Sequence, residues 1–237
     1  GESLYDVALE VLNVVEQHVS EKNWCSKNFV EIVNSLFKNR WLSEEGHKRD
    51  FSELVLALNG QEDGGDKKVI ELMKKCFQLT EDPMVAQQLA RFLYIKCKNW
   101  TDAEAVIKQA IEKKESSYLL DTYGHILKNK MEQVWEVEEL INLAFDAMDK
   151  FRKGQKVCKH FEEEHNNSVF NGEINTGLDL VDKFQKLPCY PGEKEFHKFL
   201  VDPNHIPQKF QSINQTNLCR LKKQELYMNL NNALRVL

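Results

Sequence analysis

The sequence predicts an all-α protein built as a helical-repeat solenoid with flanking divergent helices. Three observations point there. Apolar residues recur at i, i+3, i+4 and i+7 in nearly every segment, with almost no sustained alternation of the strand kind. Part of the chain matches itself at a shift of 34 residues, the length of a two-helix repeat. A glycine, Gly124, stands inside the helical stretch YLLDTYGHILKNK (118–130). Glycine there costs about 0.5–1 kcal/mol relative to alanine, so its place asks for a packing reason, most simply the backbone of another helix lying close.

The elements follow in order. Residues 1–58 lead into the repeats with three helices. The first, 4–19, puts Leu4, Val7, Ala8, Val11, Val14 and Val15 on one face; the second, 26–41, carries Phe29, Val30, Ile32, Val33, Leu36 and Phe37; the third, 51–58, is shorter. Residues 59–68, NGQEDGGDKK, read as an exposed loop. Gly60, Gly64 and Gly65 lack the Gly-x-x-x-x-Gly-Lys-Ser/Thr spacing that aims backbone N–H groups and a lysine at phosphates. Residues 69–160 hold the repeats, starting with a helix over 69–79. TEDP then marks a new start, with Thr80 or Asp82 as cap and Pro83 in the tolerated first turn. Helices over 84–96, 102–113, 118–130 and 137–152 come next. Residues 161–237 supply C-terminal helical repeats or a cap, ending in the amphipathic LCRLKKQELYMNLNNALRVL. There Leu218, Leu221, Leu226, Leu230 and Leu234 are available for burial, and Tyr227 and Met228 for contact with a further domain.

At the 34-residue shift Leu89 falls over Tyr123, Ala90 over Gly124, Phe92 over Ile126 and Leu93 over Leu127. The second helices agree: Ile107 over Ile141, Ala110 over Ala144, Ile111 over Phe145. Small residues where two helices meet, in 34-residue helix-turn-helix units, make the solenoid tetratricopeptide-like. Each pair departs from the consensus spacing near the turns at Asn99 and Glu132, and the tryptophan usual early in the first helix is absent. Two units are fewer than the three or so a stable stack needs, so flanking helices complete it.

Composition narrows the function classes. With 42% hydrophobic and 29% charged residues in 237, the chain buries a core without staples, and no apolar run of about 18 residues suggests a membrane span. Six cysteines lie far apart with no Cys-x-x-Cys pair. Free thiols, no signal peptide and an opening Gly-Glu-Ser that reads as the start of a fragment place the protein in the cytoplasm. The sequons at Asn99, Asn166 and Asn214 then carry no meaning. A net charge of −5 argues against a general nucleic-acid coat, although residues 192–237 hold seven Lys or Arg against four Asp or Glu.

Four side-chain constellations merit weighing. Ser117, Asp121 and His125 have the residue types of a hydrolase triad, but one regular helix cannot converge a nucleophile, a base and an oxyanion hole, so no catalytic residue is assigned. HFEEEH (160–165) sets its histidines five apart, about 140° around a helix, and a closed zinc site wants four ligands, so no metal is assigned. KFRKGQKVCKH gathers Lys150, Arg152, Lys153, Lys156 and Lys159, with Lys153, Lys156 and His160 on one face. That stripe is the candidate nucleic-acid contact; Glu162, Glu163 and Glu164 follow it, which favours a solvated helix end. In the repeat register, Gln87, Arg91 and Tyr94 of the first unit and Asp121, His125 and Lys128 of the second point into the groove such repeats use for partners. They depart from the lysine and asparagine pattern of repeats that hold chaperone C-termini.

The stretches DPMVAQQLARFLYIKCKNWTDAEAVIKQAI, SYLLDTYGHILK and NSVFNGEINTGLDLVDKF, with Gly172, Glu173 and Ile174, resemble the tetratricopeptide region of the sterile alpha motif domain-containing protein 9 and 9-like family. LFKNRW followed by KRDFSELVLAL is similar to the segment before those repeats, so the resemblance covers about residues 35–185. It implies a piece of a large cytosolic antiviral and growth-restricting protein, built like a signal-transducing ATPase, in which Alba-type and P-loop domains precede this region and an oligonucleotide-binding fold follows. The motifs of those domains do not occur here. The resemblance implies a non-enzymatic interaction or regulatory arm contributing to translational repression and virus restriction, with poxviral host-range proteins among the family's antagonists. Expected partners are proteins or other domains of the same chain, with no cofactor and no membrane; a nucleic-acid-binding helical domain is the alternative.

Overall fold

The computed structural model describes residues 3–38, 50–60, 64–161, 167–202 and 204–222. Every α-element there is a helix, and no strand occurs among the described residues. The chain divides into two compact units, 1–115 and 116–237.

In the first unit, short polar side chains start most helices by accepting orphan N–H groups. Ser3 caps α1 (Leu4–His18) in a reciprocal pair with Asp6. Asn23 caps α2 (Trp24–Phe37) and Ser52 caps α3 (Glu53–Asn59). Asp82 caps α5 (Pro83–Ile95), with Pro83 in the first turn as expected, and Asn99 caps α6 (Trp100–Lys113). The exception is α4 (Gly65–Thr80), which begins after Gly64 in the left-handed region with no side-chain cap. The expected loop over 59–68 therefore gives way to helix at Gly65. A Cβ on Gly65 would stand 2.6 Å from the carbonyl oxygens of Leu58 and Asn59: the glycine lets α4 begin against the end of α3, and does not mark a loop.

Asp82 ties this unit together. One carboxylate oxygen accepts the Met84 N–H at 2.8 Å; the other accepts from the Asn34 amide at 3.1 Å and pairs with Lys38. Asn34 in turn accepts from the Cys76 thiol at 3.4 Å. Burial, foremost, pushes the Cys76 thiol up to about 12, with the Thr80 hydroxyl and Lys38 opposing and Asp82 adding to the rise. The expected apolar face of α1 also differs. Leu12 and Val15 are buried, whereas Leu4, Val7 and Val14 remain exposed, because α2 and α4 pack on α1 and leave part of it uncovered.

In the second unit, Ser116 caps α7 (Ser117–Gln133). Helix α8 (Val137–Phe161) runs well past the expected end at residue 152, and α9 (Asn167–Phe184) follows. Gly154 does not end α8, because its missing Cβ makes room: a Cβ there would meet Val169 of α9 at 2.9 Å.

Gly124 has a different neighbour from the expected one. It packs against the ring of Phe151 from α8, not against a helix backbone, and a Cβ on it would lie 2.6 Å from two ring carbons. Gly172 of α9 faces the same ring, and a Cβ there would also clash. Phe151 is fully buried, held between two glycines from two helices.

Beyond α9, Phe184, Tyr190, Phe196, Phe199 and Phe210 form a second aromatic core joining α9 to α10 (Glu193–Val201) and the 3-10 turn Gln208–Phe210. Helix α11 (Gln215–Lys222) returns to α8 through Arg220 and the Asn142 amide oxygen at 2.8 Å. The rest of the expected C-terminal helix, with Leu226, Tyr227, Met228, Leu230 and Leu234, lies outside the described residues, as do Trp41 and the 162–165 part of HFEEEH. Of the residues paired at the 34-residue shift, all are buried except the half-buried Ile111.

Two outcomes follow. Replacing Gly124 with leucine overpacks the Phe151 site and lowers stability by about 1–3 kcal/mol or more, read as a fall in the denaturation midpoint at unchanged m-value; an unchanged midpoint contradicts the packing. Alkylation of the native chain near pH 8 modifies the exposed Cys25 and Cys219 and spares Cys76, since the thiolate is the reactive form. Peptide mapping that finds Cys76 modified as fast as the exposed thiols contradicts its burial.

Candidate functional site

The α8–α9 seam carries polar as well as apolar matches. Next to Phe151, Arg152 donates from Nε to Glu173 Oε1 at 2.6 Å and pairs with Asp149 at 3.3 Å. Gln155 donates to the other Glu173 oxygen at 2.6 Å. Glu173 is buried beside Gly172, so the charge it carries is met by two donors one turn apart on α8.

The α7–α9 seam ends in a cleft. Lys128 pairs with Asp179 of α9 at 2.6 Å and with Glu132 at 3.4 Å. One turn further, the Lys183 ammonium donates to the carbonyls of Met131 (3.0 Å) and Glu132. These carbonyls end α7, where the helix dipole favours a cation. The same ammonium lies 4.4 Å from the centre of the Trp135 ring. Desolvation, foremost, lowers the Lys183 pKa, with Lys186 adding and Glu132 opposing. Met131, Glu132, Trp135, Asp179, Asp182, Lys183 and Lys186 line an open cleft of about 290 Å³. Trp135 is 60% exposed at the rim, presenting an indole between carboxylates and ammonium groups.

The residues expected in a groove fall on both units. In the first, Gln87 and Tyr94 are buried, and Arg91 pairs with Asp50 at 3.7 Å over the Phe51 ring. In the second, Asp121 and His125 pair at 3.6 Å, and His125 meets the Phe151 ring edge-on at 5.1 Å. Lys128 leads into the cleft. Ser117 is fully buried and stands two turns from His125, about 12 Å along the axis, too far for a hydrogen-bonded triad. Of the basic stripe, Lys150 lies over the Tyr123 ring at 4.9 Å and Arg152 is held by Glu173, whereas Lys153 and Lys156 are exposed. The side chains of Lys159 and His160 lie outside the described residues. Among the described residues no group of three or more His, Cys, Asp or Glu gathers as a metal site would, and no helix is long and apolar enough to cross a membrane.

Sequence reasoning missed Trp135, Asp179, Asp182, Lys183 and Lys186. A tryptophan in the polar turn EQVWEVEE, and charges at 179, 182, 183 and 186 with helical spacing, were the available signals.

These features define a class: an all-helical protein of packed neighbouring helices with a small cleft of mixed polarity at a helix end. Within that class, the chain is related in sequence to the sterile alpha motif domain-containing proteins 9 and 9-like. It is 29% identical over 200 residues to the 9-like protein of Mus musculus, covering 79% of this chain and 12% of that protein. It is 26% identical over 202 residues to protein 9 of Homo sapiens, covering 72% and 12%, and 25% identical over 218 residues to the human 9-like protein, covering 79% and 13%. The chain thus spans about an eighth of the length of these relatives. No family profile and no solved structure matches it significantly.

The Lys128 pair has a defined pH dependence. Desolvation opposes its charge, but the Asp179 hydrogen bond and charge, with Glu132, outweigh it and raise the pKa above 10.5. A raised lysine pKa means that the pair's contribution is complete below 10.5 and is lost as pH rises through the folded value. Lys128→Met is therefore less stable than the parent by about 1 kcal/mol near neutral pH. Denaturation midpoints of the two chains converge above pH 10.5; a gap that widens there contradicts the assignment.

Proposed function

We propose that this chain is a tetratricopeptide-like interaction and regulatory module, non-enzymatic by itself, from a large protein related to the sterile alpha motif domain-containing proteins 9 and 9-like. In this reading the longer protein is a cytoplasmic antiviral, translation-repressing and growth-restricting P-loop ATPase-type factor. The module engages another protein or another domain of the same chain, and the Trp135 cleft is its contact point. The observation that carries the reading is the sequence relationship over 200 residues to the mouse 9-like protein. The helices support it: α5 and α7 start at Pro83 and Ser117, 34 residues apart, each followed by a partner helix after a short turn. An exposed indole over a lysine, ringed by carboxylates, is the kind of anchor on which interfaces concentrate their energy.

The exposed Lys153 and Lys156 favour one second reading, contact with nucleic acid. The two readings separate on titration with short RNA and DNA at about 50 and 200 mM salt, the range over which phosphate contacts weaken strongly. The module reading predicts no saturable binding at either salt. It also predicts that Trp135→Ala in the full-length protein reduces translational repression several-fold, while the isolated variant chain keeps its melting temperature. Salt-sensitive saturable binding, or full repression by that variant, overturns it.

A further inference from the structure

The Trp135 cleft has a sign of charge. Helices α7 and α9 both reach it with their last turns, α7 through Met131 and Glu132 and α9 through Asp179, Asp182 and Lys183. The carbonyl ends of two helices therefore converge there, and each carries partial negative charge. Three carboxylates add to it. The side chains of Asp182, Glu132 and Asp179 are 74%, 44% and 44% exposed. Lys128, which pairs with Glu132 and Asp179, is only 17% exposed, and Lys183 is buried. Of the three ammonium groups only that of Lys186 is well exposed, and it stands 3.6 Å from Asp182, wider than a normal hydrogen bond. Toward solvent the cleft thus presents three carboxylates against one ammonium.

Its own lysines do not exhaust what it offers a cation. A carboxylate has about four lone-pair sites, and Lys128 is shared between two of the three. Lys183 spends its ammonium on the Met131 and Glu132 carbonyls and on the Trp135 ring. Trp135 is nevertheless mostly open to solvent. An indole attracts cations to its face more strongly than any other aromatic side chain does.

Charge and shape together select the occupant. An anion would meet the exposed carboxylates, and an apolar group would strip water from them without supplying partners. Arginine fits better than lysine, because its planar guanidinium lies on a ring and offers its N–H fork to a carboxylate at the same time. We propose that the Trp135 cleft receives an arginine side chain of a partner protein, its guanidinium stacked on the open part of the indole and donating to the rim carboxylates, Asp182 foremost. The proposal rests on the cleft being the contact point of the module, and adds the chemistry of what enters it.

The test titrates the 237-residue chain with the blocked tripeptide Gly-Arg-Gly and its lysine, citrulline and glutamate counterparts. The readout is the NMR resonance of the Trp135 indole N–H, assigned by its loss in Trp135→Phe. Citrulline keeps the shape of arginine and removes its charge. The arginine peptide shifts the resonance saturably with a millimolar Kd, the lysine peptide binds several-fold more weakly, and the citrulline and glutamate peptides at least tenfold more weakly. Asp182→Asn weakens the arginine peptide several-fold at unchanged melting temperature. Equal binding of the arginine and citrulline peptides, preference for glutamate, indifference to Asp182→Asn, or no saturation by ~10 mM, past the millimolar end of the affinity scale, overturns the proposal. The module reading has its own point of failure, full repression by Trp135→Ala. Lost repression in that variant together with no arginine binding keeps the contact point and removes its arginine chemistry.

Discussion

The second unit depends on one aromatic ring and the two glycines that admit it. The Cδ1–Cε1–Cζ edge of the Phe151 ring lies against both Gly124 of α7 and Gly172 of α9, and neither position tolerates even a methyl group without displacing the ring. Glycine inside a helix gives up stability to backbone entropy, and here that loss permits full burial of a phenylalanine between three helices, a burial whose removal costs about 3–5 kcal/mol in other cores. Because the ring fixes the approach of α7 and α9 to α8 at once, the polar contacts fall into register. Arg152 and Gln155 reach Glu173 in the turn beside the ring, Lys128 reaches Asp179 further along α9, and Lys183 reaches the carbonyl end of α7.

That register also explains why the candidate site lies where it does. A lysine capping a helix terminus satisfies carbonyls that water would otherwise reach, and its ammonium lies over the ring of Trp135 at the surface. The cleft lies where the carbonyl end of α7, the turn carrying Trp135 and the last turns of α9 meet. Most of the polar residues that sequence reasoning assigns to a shared groove are spent inside the units: Gln87 and Tyr94 are buried, Arg91 is paired with Asp50, and Asp121, His125 and Lys128 hold one another or α9. Polarity at a helical position is a weak guide to exposure when the neighbouring helix brings an opposite charge to meet it.

The helices themselves were legible because period and caps are local. Asp82 and Pro83 announce α5, and the 34-residue match of Ala90 with Gly124 marks small residues that are buried in both α5 and α7. The continuation of α8 through Gly154, the start of α4 at Gly65 and the identity of Gly124's neighbour were not, since each depends on what a distant side chain or carbonyl leaves room for. In each case glycine was readable as a signal, and its meaning was tertiary. The exposed half of α1 escaped for the same reason. Leu4 and Val7 are apolar like Leu12, and the positions of α2 and α4 decide which are covered.

The measurement that tests the clamp most directly is a double-mutant cycle between Gly172→Ala and Phe151→Leu, read by denaturant unfolding. In the parent chain the alanine methyl meets the ring, so Gly172→Ala destabilises by about 1–3 kcal/mol. With the ring replaced by the smaller leucine, the same change is relieved of the clash and stabilises through helix propensity, by up to about 1 kcal/mol. The account predicts that reversal of sign and a coupling well above the ~0.5 kcal/mol within which independent sites add. Additive effects, or a stabilising Gly172→Ala in the parent, would show that Phe151 does not hold the three helices together.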